Sequence, residues 1–190
     1  MPIHLEDLDV VSEAEGFRSA LIVPCNICPA VTVAVREDRP FIQLFRDFLK
    51  SAPYEEYIRK LQSRLEEKGL ETDVFRSDLP HQWFLCMWTP GQRKKLREQA
   101  KRYDAVVVLG CDSATATVRS LVDPTECRMI EGMEVAGIMN ATIRFSLPGN
   151  VTFDNCEIVS ISGQKREHDE PDPQGTDRRE EVPACAPQIH

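Results

Sequence analysis

The stretch YDAVVVLGCDSATATVRSLV, residues 103–122, carries the clearest structural signal in the chain. Its run of five apolar residues, Ala105 to Leu109, predicts a strand that is covered on both faces, as in a parallel sheet. Gly110 predicts a tight turn at the end of that strand, and the residues after it predict a helix. Cys111 therefore lies where a buried strand passes into a helix.

A second junction of the same kind lies nearer the N-terminus. The segment FRSALIVPC, residues 17–25, predicts a buried strand that runs directly into Cys25, and a helix is expected after Cys28 and Pro29. Strands and helices then alternate over residues 17–145. That alternation predicts an α/β fold with a mostly parallel sheet flanked by helices.

The segments between the two junctions extend this pattern. The spacing of apolar residues predicts one helix over residues 39–50 and another between Ser51 and Gly69. LETDVF, residues 70–75, predicts a short strand, and Thr89 with Pro90 predicts the start of a helix that ends near Arg102. HQWFLCMW, residues 81–88, fits either a strand or a buried loop across the end of the sheet.

The C-terminal part of the chain changes character twice. A last short strand is expected at Met129 and Ile130, and residues 147–163 predict an extended hairpin that turns at Pro148, Gly149 and Asn150. From Gln164 to residue 190 the chain is charged and proline-rich, which predicts a disordered tail. We therefore expect a single α/β metal-binding domain over residues 1–163.

Composition argues against some classes of function. The chain has 190 residues and a net charge of −8, which argues against nucleic acid as a partner. It has no apolar run of about 18 residues and no signal-peptide pattern, so we expect a cytoplasmic protein that does not cross a membrane. In that compartment its seven cysteines are expected to be thiols. One basic cluster predicts a solvated helix face or a docking site for an acidic partner: Arg93, Lys94, Lys95, Arg97, Lys101 and Arg102.

Four cysteines are expected at one edge of the sheet. In open α/β sheets, binding sites form beyond the carboxyl ends of the strands. Cys25 and Cys28 follow one strand, Cys111 follows another, and Cys86 lies between a candidate strand and a helix. Four thiolates are a ligand set for zinc or for a [4Fe–4S] cluster. The sequence thus predicts a metal centre on these residues and names no catalytic residue.

Other uses of the cysteines remain open. Cys25 could be the nucleophile and Cys28 the resolving thiol of a thiol redox enzyme, although that leaves Cys86 and Cys111 without a role. The crevice at the sheet edge could instead bind a small ligand without catalysis. The cysteines could also be buried small side chains with no special chemistry.

The residues next to Cys111 and Cys86 in the sequence each have a structural and a functional interpretation. Asp112 and Ser113 either cap a helix or belong to the cofactor site through hydrogen bonds to a metal-bound sulfur. The residues around Cys86 either form core packing or a hydrophobic lid that excludes water from the centre: Trp83, Phe84, Met87 and Trp88.

Taken in order, three segments resemble a known family. LIVPCNICPAVTVAV, WFLCMW and AVVVLGCDSATATV are similar in order and spacing to the small iron–sulfur subunit of acetogen-type methylenetetrahydrofolate reductase, which is the reductase C-terminal domain family. GIMNATIRFSLPGNVTFDNC also resembles a later stretch of that family. The resemblance covers residues 18–156.

The resemblance implies an accessory or electron-transfer protein of one-carbon metabolism, acting on tetrahydrofolate or corrinoid methyl groups. Its partner would be a flavin-dependent reductase or a corrinoid methyltransferase subunit. One departure limits the comparison. Family members continue after the cysteine that matches Cys156 into a segment with C-x2-C repeats, whereas this chain continues CEIVSISGQK. We therefore expect no second cluster after Cys156. The expected metal centre on Cys25, Cys28, Cys86 and Cys111 is unaffected by this departure.

Overall fold

The computed structural model describes residues 3–43, 50–76, 85–147 and 149–160. The strands within them are β1 (Ile3–Asp7), β2 (Ser19–Pro24), β3 (Ile42–Gln43), β4 (Glu71–Val74), β5 (Ala105–Leu109), β6 (Arg128–Glu131), β7 (Met133–Ser146) and β8 (Asn150–Ser160). The helices are α1 (Val10–Glu13), α2 (Cys28–Arg36), α3 (Ala52–Glu67), α4 (Pro90–Ala100) and α5 (Asp112–Arg119), and Leu85–Met87 form a 3₁₀ turn. None of these helices is long and apolar enough to cross a membrane.

One sheet is parallel and has the strand order β4-β2-β5-β6. The first of its strands in the chain, β2, lies inside the sheet. The chain adds β4 on one side of β2 and then returns to add β5 and β6 on the other side. The direction in which strands are added therefore reverses between β2 and β5, which makes this boundary a topological switch point.

Side chains of the parallel sheet alternate between two cores. Ala20 and Ile22 of β2 pack into one buried cluster with α2, α3 and the second sheet. Leu21 and Val23 pack into another cluster with α4 and α5. The five residues of β5 are all buried and divide between the clusters in the same way. Burial on both faces explains why these strands are continuously apolar.

The second sheet is antiparallel, with the order β1-β7-β8-β3. Its edge strand β1 is tied to α2 by buried Thr32, whose hydroxyl donates to the Ile3 carbonyl and accepts from the Leu5 N–H, both at 3.3 Å. The protein is thus a mixed α/β fold with one parallel and one antiparallel sheet. The prediction of a mostly parallel sheet is not confirmed, because four of the eight described strands pair in an antiparallel sheet of their own.

The extended hairpin is confirmed but is longer than predicted. It comprises β7 and β8 and begins at Met133, not at residue 147. Gly149 has a φ of 107°, which favours glycine at the turn between the two strands. The prediction of a disordered tail over residues 164–190 lies outside the described residues.

One predicted helix is wrong in its described part. The spacing in residues 39–50 predicted a helix, but Ile42 and Gln43 form β3 opposite Val151 and Asn150, and the Phe41 N–H donates to the Val151 carbonyl at 2.8 Å. Pairing with the hairpin overrides the local spacing there. Residues 44–49 lie outside the described residues. The helix after Ser51, the strand within 70–75 and the helix after Thr89 are confirmed as α3, β4 and α4.

Candidate functional site

Cys25 and Cys111 flank the switch point of the parallel sheet. Cys25 follows the last residue of β2, and its N–H donates to the carbonyl of Leu109, the last residue of β5, at 2.8 Å. Cys111 comes two residues after Leu109. Both cysteines are buried, with 5% and 8% of their surface exposed. The topology therefore places one cysteine from each half of the sheet at the same edge.

Cys28 begins α2 and is half-buried. Burial raises the pKa of its thiol, while a backbone hydrogen bond from Ile3 acts in the opposite direction. Negative charge on Cys111 and on Cys86 also raises the pKa of Cys28. The sulfurs of Cys111 and Cys86, which come from two other segments, therefore lie near enough to Cys28 to act on its thiol.

Cys86 lies on the 3₁₀ turn, which packs against α5. Its side chain is exposed. The predicted lid around it is only partly present: Trp88 is buried and its ring lies 5.2 Å from that of Phe75, but Met87 is 69% exposed. Trp83 and Phe84, the other two residues of the expected lid, lie outside the described residues.

Three helices begin at this edge without a side-chain cap. The N-cap residues of α2, α3 and α5 are Ile27, Ser51 and Cys111, and none of their side chains makes a capping hydrogen bond. By contrast, Thr89 and Gln92 close a complete capping box on α4. Uncapped N–H groups at helix N-termini favour negative charge, so they suit thiolates or a bound anionic group.

Asp112 and Ser113 occupy the first turn of α5. The sequence allowed these residues either to cap the helix or to bond a metal-bound sulfur. Because Cys111 is the N-cap of α5, neither of them holds the cap position. Both side chains are exposed, whereas Cys111 beside them is buried. Their second alternative, a hydrogen bond to a metal-bound sulfur, stays a prediction.

The described side chains do not form a ready-made site for a metal ion. Among residues 3–43, 50–76, 85–147 and 149–160, no three His, Cys, Asp or Glu side chains are arranged to hold a single metal ion. A tetrahedral zinc with bonds of about 2.3 Å would require sulfurs about 3.8 Å apart. A cluster holds its cysteines farther apart, since each one binds a different iron atom. The thiol donors suit either group, but the described side chains are not arranged as a site for a metal ion.

Three buried side chains at this edge were not predicted to have a polar role. The hydroxyls of Ser51 and Tyr54 and the Nε1 of Trp88 are buried and have no hydrogen-bond partner in the part of the chain that is described. Tyr54 falls on the apolar face of α3, so its spacing indicates core packing and gives no signal of a site. Only the three-dimensional arrangement reveals it.

The remaining described cysteines lie apart from this edge. Cys127 precedes β6 and lines a cleft of about 530 Å³ with Arg119 and Glu131, which form an ion pair of 2.8 Å. Burial raises the pKa of Cys127 to about 11. Cys156 is on β8 of the hairpin. Cys127 lies at the amino end of its strand, opposite the edge of Cys25 and Cys111, and Cys156 lies in the other sheet. Comparison of the chain with family models, with curated proteins and with solved structures found no match.

Proposed function

We propose that the protein holds a metal centre on Cys25, Cys28, Cys86 and Cys111 at the switch point of its parallel sheet. The observation that supports this most strongly is the pair Cys25 and Cys111, which follow the adjacent ends of two neighbouring strands. Cys28 adds a third sulfur from the start of α2, and Cys86 adds a fourth from the turn packed on α5. Thiolates of this kind bind soft metals.

The centre is a [4Fe–4S] cluster in this proposal, with zinc as the alternative occupant. The family resemblance favours the cluster. Three uncapped helix N-termini also begin at this edge, and they would offset the negative charge of a tetrathiolate cluster. Such a cluster would supply one-electron transfer.

The biological role that we propose follows the family resemblance. The protein acts in the cytoplasm as an accessory or electron-transfer subunit of one-carbon metabolism, with a flavin-dependent reductase or a corrinoid methyltransferase as its partner. The chain's own residues supply the thiolates, the buried strands that fix Cys25 and Cys111, and the exposed turn at Cys86. That turn is the side from which a partner could approach the centre.

A thiol redox function of Cys25 and Cys28 has less support. Thiol exchange requires an accessible thiolate. Cys25 is buried, and burial together with neighbouring sulfur charge opposes ionisation of Cys28. A metal reverses this balance, because a bound cation stabilises the thiolate form.

The experiment is elemental analysis of the full chain purified without oxygen. We expect about four iron atoms and four acid-labile sulfides per chain, with a brown colour. One zinc per chain and no iron would keep the site but change its role to a structural or docking module. If neither metal is present after reconstitution, the metal-centre function is excluded, and binding of tetrahydrofolate or a corrinoid would then test the ligand-binding alternative.

A further inference from the structure

The apolar face of β7 loses its cover toward the tip of the hairpin. Residues 139–147, MNATIRFSL, alternate between apolar and polar side chains, as in a strand with one covered face. At the start of this stretch Met139 is buried, and Ala141 is partly buried against the core. The next three apolar side chains form an exposed surface, which we call the hairpin patch: Ile143 at 53%, Phe145 at 76% and Leu147 at 96% exposure. Contiguous apolar surface of this kind marks an interaction site.

The hairpin patch continues the core-facing side of the antiparallel sheet. Ile143 lies opposite Phe153 of β8, and Phe145 lies opposite Val151. Residues that lie directly opposite each other share a face of the sheet. Phe153 packs on Phe41, with ring centroids 5.6 Å apart, and both Phe153 and Val151 pack against the core. The body of the protein therefore covers the β8 half of this face and leaves the β7 half bare.

The outer backbone edge of β7 is unpaired along the same residues. β1 pairs with that edge only as far as Ile138, and β8 occupies the inner edge. The Val151 carbonyl accepts from the Phe41 N–H on β3, so Val151 and Phe145 oppose each other as a non-hydrogen-bonded pair. The N–H and carbonyl groups of Phe145, and of Ile143 before it, thus point to the outer edge. No described strand pairs with them there.

The charge of the hairpin patch suits a second copy of this chain. Arg144 is the single charged residue in the sequence of 139–147, and it forms an ion pair with Asp154 on β8. The patch therefore has no net charge with which to select an acidic or a basic partner. Two protomers, each with a net charge of −8, can approach each other here without the repulsion between their other surfaces.

We propose that two copies of this chain form a dimer by pairing the outer edges of their β7 strands, antiparallel and about a two-fold axis at Ile143. The free edge runs from Met139, just beyond β1, to Leu147 at the turn, and Ile143 is its midpoint. An axis there uses the whole free edge. It joins two four-stranded sheets into one sheet of eight strands, with both apolar faces on the same side.

The side chains are complementary in this register. Phe145 of one protomer lies opposite the partner's Ala141, which sets a large side chain against a small one. Arg144 lies opposite the partner's Thr142, so that no like charges face each other across the axis. This inference is independent of the proposed metal centre, because it uses none of the residues of that centre.

The test measures the mass of the full chain by sedimentation equilibrium over a wide range of protein concentrations. We expect the wild type to reach twice the 21.6 kDa of one chain. Ile143→Lys places two charges together at the axis and should raise the dissociation constant of the dimer at least about 30-fold. Val159→Lys is the matched control: Val159 is also 53% exposed, but it lies on β8 and on the opposite face of the hairpin, and this variant should remain a dimer.

Amide hydrogen exchange reports the backbone pairing itself. The N–H of Phe145 should exchange slowly in the wild-type dimer and quickly in Ile143→Lys. The N–H of Arg144 should change little, because Arg144 already pairs with Thr152 of the same hairpin. Phe145→Lys repeats the mass measurement at a more exposed position, where folding of the protomer does not depend on the side chain.

Three results would overturn the proposal. A wild type with the mass of one chain at every concentration would leave the hairpin patch to a different protein. A dimer that is equally stable in Ile143→Lys and Phe145→Lys would place the interface elsewhere. A dimer that these variants dissociate, but in which the Phe145 N–H exchanges equally fast with and without dissociation, would indicate face-to-face packing and exclude edge pairing. None of these measurements requires a bound metal, so they fail or succeed separately from the proposed function.

Discussion

The backbone N–H of Cys25 donates a 2.8 Å hydrogen bond to the carbonyl of Leu109. This bond continues the pairing of β2 with β5 for one residue beyond Pro24 and Leu109. It holds Cys25 beside the turn that leads through Gly110 to Cys111. The relative position of the two cysteines is therefore fixed by rigid strands and does not depend on a mobile loop.

Thiol accessibility should follow the burial of the cysteines. In metal-free protein at pH 8, we expect Cys86 to react first with iodoacetamide, since it is exposed, and buried Cys127 to react last. Mass spectrometry of peptides from timed samples checks the order. After loading with metal, Cys86 should become protected while Cys156 does not. Fast labelling of Cys86 in loaded protein would argue that it is not a ligand.

Stability at alkaline pH should depend on Cys127. Burial, and then the charge of Asp104, raises its pKa to about 11 from an ordinary value of 9.0. The unfolded chain loses this proton near pH 9 and the folded chain keeps it to about 11, so the free energy of unfolding falls as pH rises through this window, by about 1–2 kcal/mol. Urea titrations at pH 8 and pH 10.5 should show a smaller fall for Cys127→Ala. Cys86→Ala is the control, and an equal fall in both variants would contradict the assignment.

The ion pair that anchors the start of α3 should matter more at neutral than at acid pH. Arg76 donates to both carboxylate oxygens of Glu55, at 3.1 and 2.8 Å. Burial of Glu55 opposes ionisation, but Arg76 lowers its pKa below the ordinary 4.5 overall. The pair is therefore present above pH 4.5 and is lost as pH falls through the folded pKa. We expect Glu55→Gln to cost about 0.5–1 kcal/mol in urea unfolding at pH 7 and much less at pH 3. An equal cost at both pH values would contradict this.

Glycine is required at one position of β7. A Cβ on Gly137 would lie 2.6 Å from the carbonyl oxygen of Val159 on β8, and backbone cannot yield easily there. We expect Gly137→Ala to lower the free energy of unfolding by about 1–3 kcal/mol. Gly91→Ala in α4 is the control: its Cβ would meet only the Thr89 hydroxyl at 3.9 Å, and alanine should add up to about 1 kcal/mol of helix stability. Chemical denaturation measures both, and a neutral Gly137→Ala would contradict the packing.

The parallel sheet could be predicted from the sequence because its strands are buried on both faces. Ala105 to Leu109 form a continuous apolar run bounded by Gly110, so strand and turn are both visible locally. The antiparallel sheet could not be predicted as a separate sheet. β1 is five residues long, and β3 is two residues long within a helical spacing pattern. Both depend on pairing with a hairpin more than 100 residues away in sequence.

The candidate site was predictable in part for the same reason. Cys25 and Cys111 follow buried strands, so their place at the sheet edge follows from the α/β pattern. The reversal of strand order that makes this edge a switch point is a property of the whole topology. The unbonded hydroxyl of Tyr54 is likewise invisible in sequence, because a tyrosine on an apolar helix face has the same spacing whether or not its hydroxyl has a partner.

Metal retention by single-cysteine variants tests the central claim most directly. Full-length Cys25→Ser, Cys28→Ser, Cys86→Ser and Cys111→Ser, with Cys127→Ser and Cys156→Ser as controls, would be loaded anaerobically and analysed for iron, sulfide and zinc. The account predicts that each of the four site variants loses more affinity than the 10–100-fold expected for a lost outer hydrogen-bond partner, while both controls keep their metal. Full retention in Cys25→Ser and Cys111→Ser would contradict the account.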